Sequence, residues 1–170
     1  MNVIRYFICI LLFLCGGVSI VAAESPLPLQ TQNALSLGSA QQAAEAALKQ
    51  CKSDGYKVSV AIVDPAGVLN VLLRADGAGP HTIDSSRKKA YTAASMRRAT
   101  SFFSDLIAKK PDLAGLRDMN ENILILGGGL PIVISGEVVG GIGVGGAPGA
   151  HLDEACAQAG LRKIGVDSKK

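Results

Sequence analysis

Ten of the chain's 20 glycines fall between Gly127 and Gly149, in the run GGGLPIVISGEVVGGIGVGGAPG. Ordering glycine costs backbone entropy, so a cluster this dense answers a need for positive φ, tight turns or close approach of another group to the main chain. The residues between them (Ile132, Val133, Ile134, Val138, Val139, Ile142 and Val144) favour strand over disordered linker. Ser135-Gly136 between two such segments predicts a tight hairpin turn. The run therefore reads as two paired strands, entered through Gly127-Gly128-Gly129 and left through Gly145–Gly149. Two roles fit these glycines. They either permit sheet twist and helix-on-sheet packing, or they form a ligand cradle of main-chain N–H groups, with Gly127, Gly128, Gly129, Gly145 and Gly146 as the candidates.

Local signals place the other elements. Ser39-x-x-Gln42 predicts a capping box opening a helix whose apolar side runs through Ala40, Ala44, Ala47, Leu48 and Cys51, with Gly55 as its left-handed stop. Val58–Val63 and Val68–Leu73 predict a hairpin joined by Asp64-Pro65-Ala66-Gly67. Thr82 and Thr100 are expected to cap two further helices, the first burying Ile83, Ala90, Tyr91 and Ala94. Ile123–Leu126 predicts a strand leading into the glycine loop, and Leu152–Ile164 a last helix with Leu152, Ala155, Cys156 and Ala159 on one side. Consecutive hairpins between amphipathic helices imply a single α+β domain with a mainly antiparallel sheet.

The N-terminus reads as an export signal over residues 1–23. Arg5 supplies the positive end, Tyr6–Val21 is nearly all apolar, and Val21-Ala22-Ala23 offers small residues for cleavage before Glu24. An uncleaved anchor is the alternative, since the apolar stretch approaches a membrane-spanning length. Cleavage followed by residence in the periplasm or outside the cell is the expectation. It leaves 147 of 170 residues and lowers Lys+Arg from 17 to 16 against 14 acidic residues, a net charge of +2. That is too mild to imply nucleic acid, and the basic run Arg87-Lys88-Lys89 reads as a solvated helix face. Residues 24–37, with Pro26 and Pro28, read as an extended lead-in to a domain over 38–165, and 166–170 as a tail. Of four cysteines, Cys51 and Cys156 remain after cleavage. An even pair in an oxidising compartment is a disulfide candidate, and each lies on the apolar side of its helix; two separate buried thiols are the alternative.

The mature segment holds two histidines, His81 and His151, each at the entrance of a predicted helix after Gly79-Pro80 and Gly149-Ala150. Imidazole there could ligate a metal or haem iron, or move a proton, while free helix N–H groups attract carboxylates. An exposed loop histidine without a ligand role is the competing reading for each. Tyr91, Met96 and Met119 are further iron-ligand candidates. Arg74-x-Asp76-Gly77 ends the second strand and could present a guanidinium to a carboxylate ligand, or form an internal Arg–Asp pair. Gly141-x-Gly143-x-Gly145 ends a strand of a hairpin pair, so it fails the context test for dinucleotide binding.

Two segments, VAIVDPAGVLNVLLRADGAGPHTIDSSRKKAYTAA and LGGGLPIVISGEVVGGIGVGGAPGAHLDEACAQAG, resemble the GlcG/HbpS family of haem-binding-type proteins, whose domain also ends some corrinoid adenosyltransferases. The resemblance covers nearly all of 38–165 and matches at the Asp76-Gly77-Ala78 loop, the Thr82…Lys89-Ala90…Thr92 helix and the glycine loops. It implies a profilin-like fold, with a five-stranded antiparallel sheet and helices on both faces, and homo-oligomers, often octamers. It also implies haem as a cofactor, with no single iron ligand transferable by motif. An exported binding protein for haem or a related tetrapyrrole is the leading expectation, for sensing, sequestration or delivery. The alternative is an enzyme or accessory protein acting on a small hydroxy acid or other carboxylate.

Overall fold

The computed structural model describes residues 28–167; the expected leader, the first lead-in residues and residues 168–170 lie outside the described residues. The elements are helix α1 (Leu37–Ser53), strands β1 (Ser59–Val63) and β2 (Leu69–Arg74), helices α2 (His81–Met96) and α3 (Thr100–Lys109), a 3-10 stretch (Pro111–Asp118), strands β3 (Gly129–Ile134) and β4 (Glu137–Gly145), and helix α4 (Ala150–Lys163).

Turn chemistry sets both hairpins. Asp64 accepts the Gly67 N–H on its main-chain oxygen and the Val68 N–H on its carboxylate, and Gly67 takes φ +81°. Ser135 and Gly136 both take positive φ, as a two-residue turn compatible with right-handed strand twist requires. The strands order β2-β1-β4-β3, and every neighbouring pair is antiparallel.

The described sheet has four strands, not five. Ile123–Leu126 stays irregular because side chains and local turns take its hydrogen bonds. Thr92 Oγ1 accepts the Leu124 N–H, Thr100 Oγ1 donates to Leu126 O, and the Leu126 N–H turns back to Leu124 O.

Alternation along the strands divides two packed layers. Val60, Ile62, Ile132, Ile142 and Val144 point into a core shared with α1 and α4, while Ala61 and Val63 pack on Ala90 and Ala94 of α2. Helices α1 and α4 meet through alanines and Gly160, where a side chain would lie 2.5 Å from the Ala43 carbonyl oxygen. Cys51 and Cys156 form a disulfide there, with Cα atoms 5.5 Å apart.

Several local expectations shift. Ser36, not Ser39, caps α1, accepting the Ser39 N–H on its hydroxyl. Gly55 ends that helix at φ +84°, and the Tyr56 and Gly55 N–H groups return to Cys51 O and Lys52 O, the Schellman arrangement. Thr82 lies inside α2, buried, hydrogen-bonded to Gly79 O and the Ser59 hydroxyl. The buried side of α4 runs through Asp153, Cys156, Ala157, Gly160 and Leu161, while Ala155 is exposed. An acidic residue and a glycine rotate that face away from the purely apolar reading.

Candidate functional site

The residues singled out in the sequence gather at one end of the sheet. Ser59, the first residue of β1, pairs with both Arg74 at the end of β2 and Gly145 at the end of β4. Gly129 opens β3 beside Gly143 of β4. Helices α2 and α4 begin at the same end, against the glycine loops: a side chain at Gly146 would lie 3.1 Å from Thr82 Cγ2, and one at Gly127 would lie 3.0 Å from Ala150 Cβ. His81 is the first residue of α2 and His151 the second of α4. Both are exposed, and each ring lies over the glycine two residues before it, Gly79 and Gly149. Folding thus brings Arg74, Asp76, His81, His151 and both glycine loops to one rim.

Close packing accounts for the glycines themselves. A side chain at Gly129 would overlap the Lys89 carbonyl, and one at Gly145 would overlap the Ser85 hydroxyl. At Gly128, which has φ +115°, it would lie 2.7 Å from Asp153 Cβ and 3.0 Å from Lys89 Nζ. Gly146, at φ +131°, leaves 2.7 Å to the Lys57 carbonyl oxygen. The Gly129 N–H donates to Thr100 Oγ1, and the Gly128 carbonyl accepts from Val144 N–H. Thr100, expected as a helix cap, instead ties the first glycine loop to α3.

Beneath that loop lies a buried ion pair. Lys89, 1% exposed, donates from Nζ to Asp153 Oδ2 at 2.7 Å and to Val144 O at 2.9 Å. Asp153 Oδ1 accepts the Ala147 N–H at 3.0 Å, so one carboxylate joins α2, α4 and the exit loop of β4. Burial pushes the Asp153 carboxyl above its ordinary pKa, against the opposing pull of the Lys89 ammonium and the loop N–H groups. The solvated-face reading of Lys89 is therefore corrected. Arg87 and Lys88 do lie on that outer face, pairing with Asp84 at 2.9 and 3.3 Å, whereas Lys89 follows Ser86 and precedes Ala93 on the inward stripe. That i, i+3, i+7 spacing with buried small residues was the available sequence signal; nothing local pointed to Asp153 as its partner.

A cleft of about 330 Å³ opens beside this rim, lined by Leu48, Lys52, Tyr56, Lys57, Arg74 and Asp76 among others. Arg74 Nε and Nη2 both donate to Ala78 O, which fixes the guanidinium against the 75–79 loop. The internal Arg74–Asp76 pair considered from the sequence is absent from the ion pairs among the described residues. Tyr91 lies away from this rim, its ring on Gly67 of the first hairpin turn, and Met96 packs beside Phe103 and Ile107. Met119 is exposed at the end of the 3-10 stretch. Among the described residues no three His, Cys, Asp or Glu side chains form a group able to hold a metal ion, and no helix is long and apolar enough to cross a membrane.

Known proteins are similar to this chain in sequence and architecture. A solved double mutant of HbpS from Streptomyces reticuli is 43% identical, with 84% of this chain and 94% of that chain covered at a TM-score of 0.74. Protein GlcG of Escherichia coli is 30% identical over 116 residues, 68% of this chain and 84% of GlcG. The corrinoid adenosyltransferase PduO of Salmonella typhimurium is 31% identical over 137 residues, 80% of this chain but 40% of PduO. A solved PduOC:haem complex is 30% identical, covering 81% of this chain and 99% of that one at a TM-score of 0.74. The HbpS-like family, described as haem degrading protein HbpS-like, matches residues 35–162, and the chain belongs to it.

Proposed function

We propose that this protein binds haem or a related tetrapyrrole at the rim where α2 and α4 begin. The observation that carries the reading is the likeness, over 81% of this chain, to a PduOC domain solved with haem. The donor set fits: His81 and His151 are exposed imidazoles at one end of the sheet, and Lys57 and Arg74 line the adjoining cleft as counter-charges for carboxylates. Bound haem would supply an iron centre, and His81 or His151 would hold it. The chain's own residues present the imidazoles, while the Lys89–Asp153 pair joins the two helices that carry them.

Titration of haemin into the mature protein tests this through the Soret band. The His81→Ala and His151→Ala double variant should bind at least tenfold more weakly or show a displaced band. Unchanged affinity and band position in the double variant would remove both histidines from the site.

The wider role we infer is that of an exported ligand carrier on a profilin-like scaffold. The apolar leader followed by Val21-Ala22-Ala23 supports export, as does a disulfide, which persists in oxidising compartments. Self-association is supported by exposed Leu69 on one edge strand and Val133 and Ile134 on the other. Cell fractionation and sedimentation of the purified protein check these two points; a cytoplasmic, monomeric product overturns them.

A further inference from the structure

We propose that the cleft between the end of α1 and the end of β2 is a subsite for a ligand bearing two carboxylates, with Lys52, Lys57 and Arg74 as its cationic wall. The inference rests on the small-ligand reading above and deepens it.

Three observations carry it. The first is charge. Three cations and one carboxylate, Asp76, line the cleft, a net of +2, which matches a dianion. The second is that these cations are not consumed internally: among the described residues the ion pairs are Asp84 with Arg87 and Lys88, and Lys89 with Asp153. Cations without a charged partner, lining one concavity, give it a positive field that attracts an anion.

The third observation is preorganisation. The Ala78 carbonyl holds one edge of the Arg74 guanidinium, leaving Nη1 free to donate. Lys57 Nζ lies over Gly77, where an added Cβ would be 3.3 Å from it, so the missing side chain leaves room for the ammonium. Gly77 also takes φ +75°, and no other residue meets both needs as easily. A guanidinium placed before binding loses little freedom when it meets a carboxylate.

Size selects what enters. At about 330 Å³ the cleft is near the lower end of small-molecule sites. It accommodates a small dicarboxylate whole, or the carboxylate edge of a tetrapyrrole whose ring remains outside. The second source is consistent with His81, because the 75–79 loop that anchors Arg74 leads directly into it and its ring rests on Gly79. Both sources share one chemistry, paired carboxylates against fixed cations.

The test compares haemin with haemin dimethyl ester on the full mature protein, by Soret titration at low and high salt. Haemin should bind at least tenfold more tightly than its ester, and the advantage should shrink with salt. The Lys52→Gln and Lys57→Gln double variant, altered only at exposed positions, should lose that advantage. Equal affinity for haemin and ester, or a double variant that still discriminates, overturns the subsite and leaves the haem reading standing. If haemin gives no Soret complex, the haem reading fails, and calorimetry with succinate decides the subsite. Saturable binding that Lys52→Gln and Lys57→Gln weaken at least tenfold supports a free dicarboxylate; no heat at millimolar succinate overturns it.

Discussion

The two faces of the sheet are built by opposite rules, although one strand serves both. Along β4, Ile142 and Val144 enter the aliphatic core under α1 and α4, while Gly141, Gly143 and Gly145 present bare backbone to α2. On the first face, contact is made by interdigitating side chains and locked by the Cys51–Cys156 disulfide. On the second, the helix backbone rests on the strand backbone: a side chain at Gly141 would overlap the Ala90 carbonyl, and one at Gly143 the Ser86 carbonyl. Close approach leaves no volume for large apolar groups, and the polar Lys89–Asp153 pair sits at its margin instead. Side-chain packing tolerates trimming, whereas backbone contact cannot absorb an added atom.

Substitution at adjacent positions of β4 is the most direct way to break this comparison. Gly143→Val should leave no folded protein, or cost about 4 kcal/mol or more in urea unfolding, because neither helix nor strand backbone can move aside. Its neighbour on the opposite face, Ile142→Val, should cost only about 0.5–1.5 kcal/mol. Similar losses at the two positions would erase the distinction.

The buried pair sharpens the comparison at the margin of the α2 face. Lys89→Met strands the Asp153 carboxylate and should cost about 3–5 kcal/mol at neutral pH. Adding Asp153→Leu should restore part of that. The sign with pH follows from Asp153, whose folded pKa is already raised by burial. Without the ammonium it rises further, so the folded variant binds a proton that the unfolded chain releases. The deficit of Lys89→Met is therefore full above the elevated folded pKa and shrinks as pH falls toward the ordinary carboxylate value. A loss of about 1 kcal/mol or less, the worth of a surface pair, would mean that the pair does not hold the loops.

On the α1–α4 face, replacing Cys51 and Cys156 together by Ser should lower stability by about 2–4 kcal/mol, since the bond closes a loop with a sequence separation of 105. Thiol counting under denaturing, non-reducing conditions checks the bond itself. Two free thiols per mature chain would leave that face held by packing alone.

The candidate site was legible only in pieces. His81, His151, Arg74, Asp76 and the glycine loops are visible as residue types beside turns and helix starts, but their convergence on one rim depends on the pairings Ser59–Arg74, Ser59–Gly145 and Gly129–Gly143. The proposed cationic wall is not legible in the sequence, because Lys52 and Lys57 flank a helix stop, where exposed lysines are ordinary. Their link to Arg74 is spatial rather than sequential.

What the sequence by itself determined is whatever depends on neighbours a few residues apart. The Asp64–Gly67 and Ser135–Gly136 turns, the Gly55 helix stop and the apolar faces that brought Cys51 and Cys156 together all follow from local backbone preference and periodicity. Tertiary structure decided the rest. Ile123–Leu126 has strand-like composition, yet threonines on α2 and α3 take its hydrogen bonds before a sheet neighbour can. The cap of α1 fell to Ser36 because its hydroxyl, rather than that of Ser39, meets a free helix N–H. Lys89 is the largest fully buried side chain among the described residues because Asp153, 64 residues away, meets it under Gly128. Burying a charge is favourable only beside its partner, and only the completed topology supplies that partner.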